Sequence, residues 1–507
     1  MKRTYENALK LLESRRRTAR PKGVAARPIT PAPQPGNPTH TSTPNGSNAL
    51  RGVPSLVGMR EWLQLLGHSD DDINKLNIIH ITGTKGKGST CAFTRSFLRA
   101  HGLRTGFPSR IGLYTSPDLR CIRERIQINN KPIGEDLFTR YFFEVWERLT
   151  IPSSSAVSIP EAVREKGPRF LQFLAIVAFH TFINENVDAA IFETHHGGEH
   201  DATNFVQKPV VTGITSLGMD HIAQLGPTVE DIAWYKAGIF KTGAPAFSVP
   251  QKEAGPASEE VMRRRAAERG TTLEFVPVNK TQLPNNDRVL SVPVQKINCS
   301  LALELASAFV KIKTPENPIT ADDITQGVTN FSWPGRFEII SDGDSQWFLD
   351  GAHNTLSLKQ AAEWFSKNVN TTTDMSAARK YRILVFSHFS DSRDGEALVD
   401  CLGNALLEND AMPDHVIFTT YHEREDGSTR FDKFLKVPET PFPDFRGIYS
   451  DIWKKLDPKA TISSEPTIEE ALNLAKSVAR NHGGMDVFVT GSLHLVGGVL
   501  NVMQPDI

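Results

Sequence analysis

Ile78-Ile79-His80-Ile81-Thr82-Gly83-Thr84-Lys85-Gly86-Lys87-Gly88-Ser89-Thr90 is the stretch on which the reading of this 507-residue chain turns. Ile78 to Ile81 form a short β-prone run. Gly83 to Gly88 follow as a glycine-rich turn. Ser89 to His101 then read as a helix with Phe93, Phe97 and Leu98 on one face. Strand, glycine turn and helix in that order make a phosphate cradle. Glycines let backbone amides approach phosphate oxygens, and the positive end of the helix dipole points at the same anion. Lys87 supplies a point charge, and Ser89 and Thr90 offer hydroxyls to a phosphate or a metal. Ile81 stands where the common P-loop pattern has its first glycine, so this is a different version of the loop.

Working outward, β-prone runs recur at Ala189 to Phe192, Val210 to Ile214, Ala246 to Val249 and Leu273 to Val276. Helical stretches at 137–149, 169–183, 229–235 and 259–268 separate several of them. Such alternation predicts a parallel α/β sheet. A second βα series follows Pro334, with strands at 347–349, 382–386, 415–419 and 487–490 and a helix at 468–480. The length also exceeds what one core supports, about 250–300 residues. The expected fold is therefore α/β in two domains. A larger N-terminal P-loop, parallel-sheet domain covers 1–335, and a smaller C-terminal Rossmann-like domain covers 336–507. Thr4 to Leu12 and Met59 to Leu66 read as helices, and 21–48, rich in Pro, Thr, Ser, Asn and Gly, as a surface loop.

Lys and Arg total 57 against 58 Asp and Glu. This balance argues against a nucleic-acid or acidic-membrane partner. Cys91, Cys121, Cys299 and Cys401 are far apart and form no Cys-x-x-Cys pair, which argues against zinc or a disulfide framework and for a reducing compartment. The apolar run at 170–183 is too short for a bilayer, which needs about 20 residues. The N-terminus is polar, and Glu6 and Glu13 make a mitochondrial leader the lesser reading, so a cytoplasmic location is expected.

Several residues outside the loop suit metal or acid–base work. Glu193 ends a β-prone run, where open α/β sheets bind ligands, and its carboxylate is a hard donor suited to magnesium. His221 either completes such a site or is a satisfied structural histidine. Lys236 lies in the apolar stretch Trp234 to Phe240, where a buried charge is costly unless it is paired, neutralised or able to snorkel.

Gly83 to Thr90 resemble the nucleotide loop of the Mur ligase and folylpolyglutamate synthase superfamily. Further motifs follow in that family's order. They are Ser116-Pro117 with Arg123 to Asn129; Glu193 with Gly197, Gly198, Asp201, Thr203 and Asn204; Ser216 to His221; Lys236; Asn298; Trp333 to Glu338; Asp350 to Asn354; and Thr490 to Gly497. The resemblance runs from about Ser55 to the C-terminus. It implies an ATP-dependent ligase that adds L-glutamate to the γ-carboxyl of a reduced folate through an acyl phosphate. It implies ATP on Gly83, Thr84, Lys85, Gly86, Lys87, Gly88, Ser89 and Thr90, with Asn298, Arg336 and Asp350 assisting. Magnesium is implied at Ser116, Glu193 and His221, with a monovalent cation such as K+ as a further expectation. Lys87, Lys236 (carbamylated in the family) and His353 are implied as catalytic. Reduced folate, L-glutamate and ATP are the expected partners of a monomer. The alternatives are a dihydrofolate synthase-like ligase, an amide ligase for a non-folate acid, and an inactive nucleotide-binding regulator.

The sequence departs from the family pattern at Asp118, at His195, His196 and Glu199, and at His388. Extra histidines and an extra acid would alter local charge, and with it the choice of acyl substrate.

Overall fold

The computed structural model describes residues 2–16, 55–150, 167–284, 288–370, 379–389, 394–426 and 444–505. The loop expected at 21–48 lies outside these residues. The chain divides into two compact units, one of Met1–Pro117 with Arg123–Phe331 and one of Asp118–Ile122 with Ser332–Ile507.

The first unit is built on an eight-stranded sheet. Its strands are β1 (Ile79–Thr82), β2 (Ile111–Tyr114), β3 (Ile126–Ile128), β4 (Lys131–Pro132), β5 (Ala189–Glu193), β6 (Val211–Ile214), β7 (Ala246–Ser248) and β8 (Leu273–Phe275). Their order is β4-β3-β2-β5-β1-β6-β7-β8. The run from β2 to β8 is parallel. β3 and β4 are added antiparallel at one edge, so the sheet is mixed, not purely parallel. Central β1 is buried along its whole length, as a strand covered on both faces should be. Ile81 is in register with Glu193, and Thr82 with Ile214. The C-terminal ends of β5, β1 and β6 therefore lie side by side.

The helix after the glycine turn spans Lys87–Thr105 and starts two residues earlier than the sequence suggests. It is buried from Ser89 to Leu98 without interruption, so its apolar residues form no single stripe. The N-terminal helix Tyr5–Glu13 has a Thr4 cap and buries Ala8, Leu9 and Leu12. Tyr5 meets Phe138 edge-on at 5.6 Å, and Arg3 pairs with Glu147 at 2.6 Å, which docks this helix on the helix Glu135–Thr150.

The second unit holds a six-stranded sheet of β9 (Glu338–Asp342), β10 (Ser345–Leu349), β11 (Tyr381–Phe386), β12 (His415–Phe418), β13 (Thr461–Ser464) and β14 (Met485–Thr490). The order is β13-β12-β11-β14-β10-β9, with only β9 antiparallel. Short, partly exposed β9 and β13 carry little hydrophobic pattern, which is why sequence reading omits them. The helix Ile468–His482 closes a core with Trp347, Val385, Val487 and Leu495.

Candidate active site

The glycine turn works in two parts. Gly83 has φ +150°, and a Cβ there would fall on the Thr215 hydroxyl, with Thr215 Cβ at 2.9 Å and its backbone nitrogen at 3.0 Å. Only glycine lets β1 pass so close to the end of β6. The Thr84 and Lys85 amides both donate to the Ser216 carbonyl, at 3.0 and 3.2 Å, so these two residues anchor the turn and their amides are already engaged. Gly86 then sits in the left-handed region (φ +84°) as a helix N-cap with no side-chain cap bond. The amides of the first helical turn have no intrahelical partner, and they are the donors left for an anion. Thr90 Oγ1 is buried with no hydrogen-bond partner among the described residues. An uncompensated buried hydroxyl is costly, and a ligand oxygen or metal would satisfy it.

Lys87, the first helical residue, lies 3.9 Å from Glu193 Oε1. Glu193 Oε2 accepts from the Thr115 hydroxyl and from the Ser116 N–H at 3.3 Å. Ser116 Oγ accepts from Arg125 at 2.9 Å. The structure thus gathers Lys87, Ser116 and Glu193 around the end of β5. His221 is the N-cap residue of the short helix Ile222–Leu225. It has φ +51°, lies 3.7 Å from the Asp220 carboxylate, and meets His196 ring to ring at 4.6 Å. Among the described residues, no three His, Cys, Asp or Glu side chains are arranged to hold a metal.

Lys236 is buried, and its Nζ donates to the Gly83 carbonyl at 2.7 Å. Burial first, and then the charge of Lys87, lower its pKa to about 7. The snorkelling alternative therefore fails. Asn298 packs its amide against Gly86, where a Cβ would collide with it, so it borders the cradle. Cys91 is buried and its thiol is pushed up by burial, which makes it a core residue, not a reactive one.

The departures resolve differently from one another. Glu199 is bound by Arg265 at 2.7 Å and Arg269 at 2.8 Å. Its carboxylate is a structural pin, which corrects the expectation that it adds charge at the substrate site. His195 is buried between the Tyr114 hydroxyl at 2.6 Å and Asp201 at 3.5 Å. Asp201 also accepts the His195 and His196 amides, each at 2.9 Å, and so shapes the turn after Glu193. Sequence reading misses Tyr114 and Thr115, which enter the site at the end of β2 and just after it. Their bond to Glu193 or its turn joins residues about 80 positions apart, for which sequence carries no local signal.

In the second unit, Asp350 is buried at the end of β10 and accepts from the Phe337 and Ala352 amides, each at 3.0 Å. Burial raises its pKa to about 6, against the lowering effect of Arg336. Arg336 Nη1 donates to the Gly335 carbonyl at 3.1 Å, and His353 Nδ1 lies 3.0 Å from the Gly351 carbonyl. His388 is buried on the Gly491 carbonyl at 2.8 Å.

A cradle of this kind beside a carboxylate at the end of a parallel sheet serves nucleotide chemistry, and the class of protein here is the ATP-dependent ligases. Folylpolyglutamate synthase of Saccharomyces cerevisiae strain AWRI796 is 41% identical over 470 residues, covering 89% of this chain and 81% of the yeast protein. The chain belongs to the folylpolyglutamate synthase family. Among solved structures, Mycobacterium tuberculosis folylpolyglutamate synthase complexed with ADP and AMPPCP superposes with TM-score 0.67 at 22% identity, over 89% of this chain and 96% of that one. The apo form of L. casei FPGS gives TM-score 0.66 at 22% identity over 99% of each chain. These likenesses establish the two-domain α/β fold. No family model matches the sequence. Among the described residues, no helix is long and apolar enough to cross a membrane.

Proposed function

We infer that this protein joins L-glutamate to the γ-carboxyl group of a reduced folate or its polyglutamate, at the expense of ATP. The observation that carries this reading is the Gly86–Thr90 cradle with Lys87 set 3.9 Å from Glu193, in a chain of this family. ATP phosphates lie on the first-turn amides of the helix Lys87–Thr105, with Lys87 neutralising charge as the terminal phosphoryl group moves to the folate carboxylate. The acyl phosphate so formed offers phosphate as a leaving group. The amine of L-glutamate attacks its carbonyl, and ADP and phosphate are released.

Glu193, the Ser116 hydroxyl and the unpartnered Thr90 hydroxyl are hard oxygen donors that fit magnesium, which typically takes one or two carboxylates together with substrate phosphates. His221 is proposed to complete that set. Bound there, the ion would supply charge neutralisation for phosphoryl transfer. Lys236 is proposed to be carbamylated. An amine with a pKa of about 7 is half neutral at that pH and therefore nucleophilic toward carbon dioxide. Asn298 is proposed to border the adenine, Arg336 and Asp350 to assist ATP binding, and His353 to receive L-glutamate. The monovalent cation is assigned no residue. The protein is proposed to act as a cytoplasmic monomer.

The test is purified protein with ATP, magnesium, L-glutamate and tetrahydrofolate, followed by ADP release and product chain length. ADP formation with tail elongation is expected, and Lys87→Ala should abolish both. Absence of elongation with tetrahydrofolate, or full turnover by Lys87→Ala, would overturn the reading.

A further inference from the structure

The chain leaves β5 through Glu193 and Thr194 and is tied at once to its neighbours. The Thr194 amide donates to the Ile81 carbonyl at 3.0 Å, and the Thr194 hydroxyl donates to the Thr82 hydroxyl at 2.8 Å. His195, one of the positions where the sequence departs from the family pattern, comes next. It is buried, with Nε2 2.6 Å from the Tyr114 hydroxyl and Nδ1 3.5 Å from Asp201 Oδ1. Asp201 accepts from the His195, His196 and Thr203 amides and from the Thr203 hydroxyl. So full a set of donors marks it as the ionised carboxylate. The proton of His195 therefore sits on Nδ1, toward that charge, and Nε2 is left to accept from the Tyr114 hydroxyl.

Tyr114 ends β2, and the two residues after it are the ones that bond Glu193. The Thr115 hydroxyl and the Ser116 amide both donate to Glu193 Oε2, the latter at 3.3 Å. The Tyr114–His195 bond thus closes a ring of contacts. It runs from Tyr114 to Thr115, across to Glu193, along the chain to His195 and back. Tyr114 and Phe192, paired across the two strands, pack ring to ring at 5.7 Å beside it. Joining two short segments twice restricts both more than either bond alone. The Glu193 carboxylate is held with Oε1 3.9 Å from Lys87.

We propose that His195 is a positioning residue for the magnesium site: anchored by Asp201 and bonded to Tyr114, it fixes the Glu193 carboxylate in the orientation that receives the ion. It acts through Glu193, not by contact with the reacting groups. The inference rests on the reading of Glu193 as a magnesium ligand given above. Partners that orient a ligating side chain change metal affinity about 10–100-fold when they are removed. A histidine that merely filled space would give way to leucine with no change in that affinity.

The experiment measures, by calorimetry on the full chain, the gain in affinity for a non-hydrolysable ATP analogue when Mg2+ is added. It compares wild type, Tyr114→Phe, His195→Leu, His195→Gln and the Tyr114→Phe/His195→Leu double variant. Tyr114→Phe and His195→Leu should each cut the gain about tenfold, or ~1.4 kcal/mol. Affinity for the analogue without a divalent ion should move by less than about twofold, because the cradle amides are untouched. Either substitution removes the same bond, so the double variant should lose about tenfold and not about a hundredfold. His195→Gln, whose amide oxygen can accept from the Tyr114 hydroxyl, should recover part of the loss. A wild-type gain retained in Tyr114→Phe, which removes one hydroxyl and keeps the ring, would overturn the proposal. So would losses that multiply fully in the double variant, or a wild type with no gain on adding Mg2+. If His195→Leu does not fold, Tyr114→Phe and His195→Gln decide the matter. Failure of the ligase reading shows separately, as a wild-type protein that elongates no folate.

Discussion

Replacing Lys236 by Met tests the central electrostatic claim about the site. The unfolded chain holds the Lys236 proton up to its ordinary value of 10.5, while the folded chain releases it at about 7. Between those values the unfolded state binds more protons, so folding stability rises with pH across that window. Below pH 7 the folded protein carries the full penalty of the buried charge, about 5 kcal/mol at ~1.36 kcal/mol per pH unit. At pH 9 about 2 kcal/mol of it remains. Methionine removes the penalty but leaves the Gly83 carbonyl without the bond it accepts at 2.7 Å, at a cost of about 1–3 kcal/mol. Lys236→Met should therefore stabilise the protein by roughly 2–4 kcal/mol at pH 6 and be near neutral at pH 9. Urea unfolding of both proteins in degassed buffer at pH 6, 7.5 and 9 measures this, since removing carbon dioxide keeps the amine unmodified. A stability difference that stays constant across the three pH values would refute a depressed lysine. In parallel, wild type supplied with 13C-labelled bicarbonate should show a carbamate carbon signal that Lys236→Met lacks.

Gly83→Ala should weaken binding of a non-hydrolysable ATP analogue at least tenfold by calorimetry, ~1.4 kcal/mol. The added Cβ meets the Thr215 backbone nitrogen at 3.0 Å as well as its side chain, so trimming Thr215 should not restore affinity. Wild-type affinity in Gly83→Ala would contradict the close approach of β1 and β6. Glu199→Ala should cost roughly 2 kcal/mol of stability, less than the ~3–5 kcal/mol of a wholly broken buried pair, because Arg265 keeps Glu268 at 2.8 Å. Its KM for folate should not move. A changed acyl preference at unchanged stability would return Glu199 to the substrate site.

Locally encoded features are legible in the order of residues. The alternation of β-prone and helical stretches predicts two α/β series. The order strand, glycine turn, helix predicts the cradle, because each element follows from the periodicity and the backbone freedom of neighbouring residues. The cost of burying a lysine in so apolar a stretch also marks Lys236 from sequence alone. Tertiary structure decided what depends on partners far along the chain. Lys236 meets the Gly83 carbonyl 153 residues away, and Glu199 is claimed by Arg265 and Arg269 some 66 and 70 residues on. The antiparallel edge of β3 and β4, the segment Asp118–Ile122 joining the second unit, and the meeting of Arg16 with Arg125 on Phe170 are likewise products of packing. Charge and hydrogen-bonding capacity are written residue by residue, but their effect is set by whichever groups the fold brings within a few ångströms. The same glutamate can therefore read as a substrate determinant in sequence and prove to be a salt-bridged pin in the folded chain.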